Sequence, residues 1–306
     1  MAKNDMAGKI CLITGGSSGI GKETVRDLAR RGATVVSVSR ANPRGEEAVQ
    51  EIRQESGNDN VHFFPADLAQ MSEVRRLAHE VEERFDRLDV LINNAGIFLQ
   101  QRQETPDGFE KTLAVNHLAP FLLSALLLPR LRAAPAARIV TVSSIAERQG
   151  TLRRDDLMFE NSYSGWGAYA QSKLANLLFT YQLADLLKDS PHHSHITANA
   201  LHPGAVATGF GRNNSGWVGW LFRLLAPVLR SPDKGSETVR YLATSPDVAG
   251  VSGQYFVDCK AKPSSKASHD RQDQAWLWDK SRELVGLSDD DADDLAPSRS
   301  PASTAA

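Results

Sequence analysis

The sequence predicts an α/β protein built on one doubly wound parallel sheet of about seven strands, with helices on both faces. Short apolar runs rich in β-branched residues alternate with longer stretches of helical spacing along nearly the whole chain. Those runs are continuous rather than alternating, as strands buried on both faces require. The first of them ends in a glycine-rich turn that opens a helix. Right-handed crossovers then cover both faces and put ligands at the carboxyl ends of the strands.

Lys9–Gly15 (KICLITG) is the first strand, and Ile20–Arg31 has helical spacing through Val25, Leu28 and Ala29, with Gly32 placed to close it. Ala33–Ser39 (ATVVSVS) reads as a second buried strand and about Arg44–Glu55 as a polar helix. Val61–Asp67 is the third strand, followed by an amphipathic helix over about Ser72–Arg87. Leu88–Gly96 (LDVLINNAG) is the fourth strand with its exit turn. A long helix is expected over about Gly108–Arg132 and a fifth strand over Arg138–Ser144 (RIVTVSS). An irregular stretch, Ile145–Gly165, leads to a helix over about Trp166–Asp189. His195–Gly204 and Gln254–Val257 complete the strands, and Trp276 and Trp278 are expected to pack a C-terminal helix.

Length alone, 306 residues, fits one large domain or two ordinary ones. No repeat or second compositional regime divides the chain, so a single domain is expected over residues 1–287. Ser288–Ala306 is acidic, then small and polar, which predicts a disordered tail. Acidic residues number 37 against 35 basic ones, so nothing global favours nucleic acid or an anionic membrane as partner. Two cysteines, Cys11 and Cys259, both in apolar strand-like runs, imply no disulfide framework. With no apolar leader and no run near the ~20 residues that span a bilayer, a cytoplasmic protein without an integral membrane span is expected. His192, His193 and His195 cluster in a polar loop without acidic or cysteine partners, and no metal site is expected there.

The turn after the first strand reads Thr14-Gly15-Gly16-Ser17-Ser18-Gly19-Ile20-Gly21. Glycines there permit a tight turn and let backbone N–H groups approach a pyrophosphate at a helix N-terminus, where the dipole favours negative charge. An ordinary glycine-rich turn has the same composition, so the pattern needs support. Tyr169-Ala170-Gln171-Ser172-Lys173 supplies some, because Tyr and Lys four apart share a helix face, and an ammonium near a phenol stabilises the phenolate. Ser143 and Ser144 close the fifth strand, Asn93-Asn94-Ala95-Gly96 closes the fourth, Asn116 lies mid-helix, and Pro203-Gly204 follows the sixth strand.

Four motifs in this order and at these sheet positions resemble the short-chain dehydrogenase/reductase family, over about Ala7–Gly286. Segments such as GIGKETVRDLARRGA, VNHLAPFLL, YAQSKLANLLFT, HPGAV and SGQYFVDCK resemble its retinol dehydrogenase-like branch. The resemblance implies a Rossmann-type fold and hydride transfer between an alcohol and an aldehyde or ketone. It implies Ser144 as the residue that orients the carbonyl, Tyr169 as general acid/base, Lys173 on the ribose hydroxyls, and Asn116 holding a relay water. It places Thr14, Gly15, Ser17, Ser18, Gly19, Ile20, Gly21, Arg40, Asp67 and Leu68 against the dinucleotide. Asn94, Ala95, Gly96, Tyr169, Lys173, Pro203, Gly204, Val206 and Thr208 complete that set, with Asp67 meeting the adenine. Pro120, where related enzymes carry another residue, removes the N–H that the Asn116 carbonyl would accept; this frees that carbonyl for a water, or simply kinks the helix.

Ser39-Arg40 ends the second strand where NAD-selective enzymes place a carboxylate. A guanidinium there suits a 2′-phosphate, assisted by Arg44, so NADP(H) is expected with NAD(H) as second choice. The gap from Ser144 to Tyr169 implies an inserted loop, Glu147–Gly165, beside the substrate pocket. Trp217–Leu229 reads as a lid over an apolar substrate or as a patch touching membrane. A small-molecule apolar alcohol or carbonyl compound is the expected partner, with a homodimer as a candidate assembly. The rival from another class is a catalytically silent NADP(H)-binding sensor or scaffold, which could lose Ser144, Tyr169 or Lys173 without penalty.

Overall fold

In the computed structural model, which describes residues 4–190, 192–204 and 231–288, β1 (Ile10–Thr14) lies inside the sheet between β2 (Thr34–Ser39) and β4 (Val90–Asn93). β3 (Val61–Pro65) flanks β2, while β5 (Ala137–Val142), β6 (Ile196–His202) and β7 (Tyr255–Val257) continue beyond β4. All these pairs are parallel, so the chain reverses its direction of sheet growth between β1 and β4. That reversal opens a crevice at the carboxyl ends, where open α/β sheets bind ligands. The order 3-2-1-4-5-6-7 ends on an eighth strand, β8 (Lys260–Ala261), paired antiparallel to β7. Sequence reading expected about seven strands; two exposed residues carry no apolar period by which an edge strand could be seen. Cys259 stands in the turn between them, at φ 58°, rather than within a strand.

The core has two layers because each sheet face buries its own helices. One face packs α1 (Gly19–Arg30), α2 (Pro43–Ser56) and α8 (Pro232–Thr244) through Val25, Leu28, Ile52, Val239 and Leu242. The other packs α3 (Met71–Arg84), α5 (Ala119–Leu126), α6 (Leu128–Arg132), α7 (Gly165–Asp189) and α9 (Arg271–Val285). Trp278 packs α9 there as expected: it is stacked on Phe179 (6.1 Å) and edge-on to Phe121 (5.0 Å). Trp276 is partly buried, with the Arg154 guanidinium over its ring. Replacing a buried aromatic by Ala leaves a cavity as well as losing transfer energy, so Trp278→Ala is expected to cost ~3–5 kcal/mol in urea unfolding. A cost under ~1 kcal/mol would show that α9 is not docked through Trp278.

The long helix expected over about Gly108–Arg132 is broken. α4 (Lys111–Leu113) passes into a π turn at Ala114–Leu118, then into α5, with a further break at Leu127 before α6. In the π turn the Ala119 N–H reaches back five residues to the Ala114 carbonyl. Pro120 follows at once and has no N–H to restore the normal ladder, so the interruption appears as a one-residue register shift. Asn116 sits at the centre of that turn. In the loop that carries His192, His193 and His195, His193 is buried against the Ser190 hydroxyl (2.7 Å), and His195 Nε2 lies 3.1 Å from the Arg132 carbonyl. Val206, Thr208, the Trp217–Leu229 run and the tail beyond Ser288 lie outside the described residues.

Candidate active site

The turn after β1 is shaped by close approach. Gly15 has φ 72°, and a Cβ on Gly21 would strike the Gly15 carbonyl, so only glycine lets α1 start this near the strand. Thr14 ties the floor together: its Oγ1 accepts from the N–H groups of Asn94 and Ala95 (both 3.0 Å), while Asn94 Nδ2 donates to the Thr14 carbonyl (2.8 Å). Thr14 Oγ1 and Asn94 Nδ2 thereby hold β1 to the exit of β4. Ser18 caps α1 in an extended conformation without a side-chain capping bond, so the first helical N–H groups receive no side-chain acceptor. Ser17 makes no side-chain hydrogen bond among the described residues, and Gly19 (φ 56°) and buried Ile20 complete the turn. Such a cradle of free N–H groups at a helix start fits a dinucleotide pyrophosphate.

Arg40 follows β2 and Arg44 lies in the first turn of α2; both are exposed and neither pairs with a carboxylate among the described residues. That sets them apart from Arg26, Arg31 and Arg76, each of which is held by acidic side chains. Two unengaged guanidinium groups, with no acidic residue at the strand end, fit an added phosphate better than a bare ribose. Asp67 uses one carboxylate oxygen on the Ala69 N–H (3.1 Å), and Leu68 is buried beside it. Pro203 and Gly204 follow β6 at the same edge of the sheet.

The two serines after β5 separate cleanly. Ser143 is buried and donates to the Lys173 carbonyl (2.7 Å), while Ser144 accepts from the Ala146 N–H (3.3 Å) and hydrogen-bonds Tyr169. Neighbouring residues of an extended chain point opposite ways, so only one can face the crevice, and it is Ser144. Tyr169 and Lys173 lie one turn apart on α7, with Nζ 5.7 Å from the phenol ring centre. Lys173 is buried and donates to the Val142 carbonyl (3.1 Å). Gly96 keeps the space above it open, since a Cβ there would lie 3.3 Å from Nζ and 3.4 Å from Asn116 Oδ1. Asn116 pins the exit of β4 with both ends of its amide. It accepts from the Ile97 N–H (2.7 Å) and donates to the Ile97 carbonyl (3.0 Å) and the Ser172 hydroxyl (2.9 Å).

Burial governs the charges here. It pushes the Tyr169 phenol up to about 12, against the Ser144 hydrogen bond that lowers it, and it pulls Lys173 down to about 8. The Ser144 hydrogen bond opposes the desolvation of Tyr169. The Lys173 ammonium donates to the Val142 carbonyl and lies 5.7 Å from the phenol ring centre.

The inserted loop is anchored to α7 and α9. Arg153 N–H donates to Gln171 (3.0 Å), Gln171 donates to the Leu157 carbonyl (2.9 Å), and Arg154 pairs with Asp273 of α9. Glu147, at the start of that loop, is wholly buried and accepts from the Ser265 N–H (3.1 Å). What sequence reading missed is apolar. Ile145 and Trp166 are the exposed large hydrophobic residues among the described ones, 50% and 49% accessible, and they adjoin Ser144 and Tyr169 in the chain. The Trp166 indole is held by Gln149 (2.9 Å) and lies 6.0 Å from the Tyr169 ring, while Phe98 packs edge-on to Tyr169 at 5.8 Å. The signal was present: two large apolar residues beside two reactive ones.

A parallel sheet with this reversal, a glycine cradle on one side of it and a Ser–Tyr–Lys group on the other define a nucleotide-dependent oxidoreductase of the α/β class. The sequence pattern of the short chain dehydrogenase family matches residues 9–218. Polyprenol dehydrogenase of Mus musculus is 41% identical over 302 residues, covering 94% of this chain and 87% of the relative. Retinol dehydrogenase 12 of the same organism is 41% identical over 280 residues, covering 92% and 87%. Among solved structures, a Mycobacterium paratuberculosis protein superposes with a TM-score of 0.73 at 35% identity, over 92% of this chain and 95% of that one. A Shigella flexneri short chain dehydrogenase complexed with NADP gives 0.67 at 26% identity, over 84% and 100%. The chain belongs to the short chain dehydrogenase family, in its retinol dehydrogenase-like part. It is an oxidoreductase that interconverts alcohols and carbonyl compounds with a nicotinamide cofactor.

Proposed function

We propose that the chain is an NADP(H)-preferring enzyme acting on an apolar alcohol or carbonyl compound, with Ser144, Tyr169 and Lys173 as its catalytic residues. The observation that carries this reading is the convergence of those three side chains at the carboxyl edge of β5, beside the glycine cradle. The bound nicotinamide supplies or accepts the hydride. In carbonyl reduction, Ser144 donates a hydrogen bond to the substrate oxygen and Tyr169 gives its phenolic proton to that oxygen as charge develops. In alcohol oxidation Tyr169 takes the proton back. Lys173 serves the ribose hydroxyls and refills the phenol, and Asn116, its side chain committed to Ile97 and Ser172, contributes through its backbone carbonyl. A silent sensor would have no use for this set, and no observation favours that reading. NADP(H) over NAD(H) is supported by Arg40 and Arg44 and by the NADP-bound relative. Two free thiols support a reducing, cytoplasmic setting, checked by cell fractionation.

The apolar substrate class is supported by Ile145 and Trp166 and by the names of the two mouse relatives. Each methylene buried against such a wall contributes up to ~0.8 kcal/mol, or about fourfold in kcat/KM. Along a homologous series of aliphatic aldehydes with NADPH, efficiency is expected to climb with chain length and then level off. Trp166→Ala should flatten the climb more than it lowers the rate on the shortest aldehyde. Better turnover of short, charged carbonyl compounds would overturn the apolar reading while leaving the oxidoreductase in place.

A further inference from the structure

Three carboxyl groups are deeply buried among the described residues, and two of them have plain structural work. Asp89 fastens Lys9 and Arg87, and Glu110 caps the start of α4 by accepting from the Thr112 and Leu113 N–H groups. Glu147 is the third, with no accessible surface. Both its oxygens lie on the Ser265 N–H (3.1 and 3.3 Å), and Arg148 Nε is 3.9 Å away. Burying a carboxyl group on such thin support is costly, and the fold gains from it a fixed link between two segments.

One end of the link is the turn that carries Ser144. Ser144 caps the 3-10 turn Ile145–Gln149: its Oγ accepts from the Ala146 N–H (3.3 Å) and its carbonyl from the Glu147 N–H (3.1 Å). The hydroxyl therefore moves with the turn. Beyond the turn the chain presses on α7, since a Cβ on Gly150 would come within 2.6 Å of the Ala170 carbonyl. Ile145, Arg148 and Gln149 are exposed, so Glu147 supplies the long side chain that roots the turn.

The other end is the segment after β8, residues 263–268. Arg148 donates to the Pro263 carbonyl (3.1 Å), and the Ser264 hydroxyl pairs with that of Tyr181 (2.7 Å). Tyr181 is buried in α7, the helix of Tyr169, with its ring stacked on His269 (4.9 Å). Residues 263–265 thus brace the Ser144 turn against the helix of Tyr169, by a route separate from the inserted loop.

We propose that Glu147 is a positioning residue for Ser144. Its bond to Ser265 fixes the turn so that the Ser144 hydroxyl and the Tyr169 phenol meet one substrate oxygen. The proposal rests on the role given above to Ser144. Glu147 touches no reacting atom and acts through the turn.

A double-mutant cycle tests it, read as kcat for carbonyl reduction with NADPH alongside KM for NADPH and melting temperature. Glu147→Leu keeps the bulk and removes the acceptor, and should lower kcat about tenfold through misplacement of the hydroxyl, with KM for NADPH unchanged. Glu147→Gln keeps an oxygen for the Ser265 N–H and should stay within about twofold of the wild type. Ser144→Ala loses one donor and should retain a measurable ~10⁻²–10⁻³ of kcat. In that background no hydroxyl is left to place, so adding Glu147→Leu should change kcat by less than about twofold. A merely structural role lowers kcat by the same factor in both backgrounds, and that result would overturn the proposal. Tyr181→Phe keeps the ring and removes the bond to Ser264, which guards against a misfolded Glu147 variant. It should give a smaller loss of kcat that likewise vanishes without Ser144. A lowered melting temperature with kcat unmoved in Glu147→Leu and Tyr181→Phe would also overturn it. A wild-type kcat in Ser144→Ala alone would bring down the role of Ser144 itself, a separate result read from a single variant.

Discussion

Tyr169→Phe is expected to lower kcat by ~10²–10⁴ while NADPH binding stays nearly intact, because the lost hydroxyl serves proton transfer rather than cofactor affinity. The ring keeps its packing against Phe98 and Trp166, so folding should be spared. Stopped-flow binding of NADPH and steady-state turnover separate the two quantities. Retention of more than about a tenth of kcat would remove Tyr169 as the acid. The pH dependence carries a sign as well. Burial pushes the phenol up to about 12, so Tyr169 is protonated at neutral pH and ready for carbonyl reduction. Alcohol oxidation needs the phenolate, and its rate should therefore rise with pH while reduction at neutral pH stays level. Lys173→Ala should damage both cofactor binding and kcat, since its ammonium serves both.

Arg40→Asp is expected to reverse the cofactor preference. A charge-assisted contact to the 2′-phosphate contributes ~1.5–3 kcal/mol, and its loss alone lowers NADPH selectivity by roughly 10–100-fold. The new carboxylate adds repulsion toward the phosphate and an acceptor for a free ribose hydroxyl. Arg40 is exposed and makes no ion pair among the described residues, so the substitution should leave stability nearly unchanged. The measurement is kcat/KM for NADPH and NADH on one substrate. An unchanged ratio would sink the assignment of Arg40, with Arg44 the next residue to replace.

Most of the fold and the outline of the site were legible in the residues. Strand and helix order, the cradle after β1 and the Tyr169–Lys173 pair are local patterns, carried by apolar period, glycine spacing and a four-residue step along one helix. Boundaries shifted by up to about three residues, as capping and fraying decide them. Only tertiary structure could say which of two adjacent serines faces Tyr169, because that depends on how the end of β5 meets α7. It likewise turned Glu147 inward to Ser265, 118 residues away, and brought His117 to Ser281, 164 residues away. A buried polar group takes the partner that the fold brings to it, and sequence distance does not limit the choice. Periodicity along the chain thus determined the elements and their chemistry. Long-range packing decided which polar atoms remain free for a ligand and which are consumed in holding the site together.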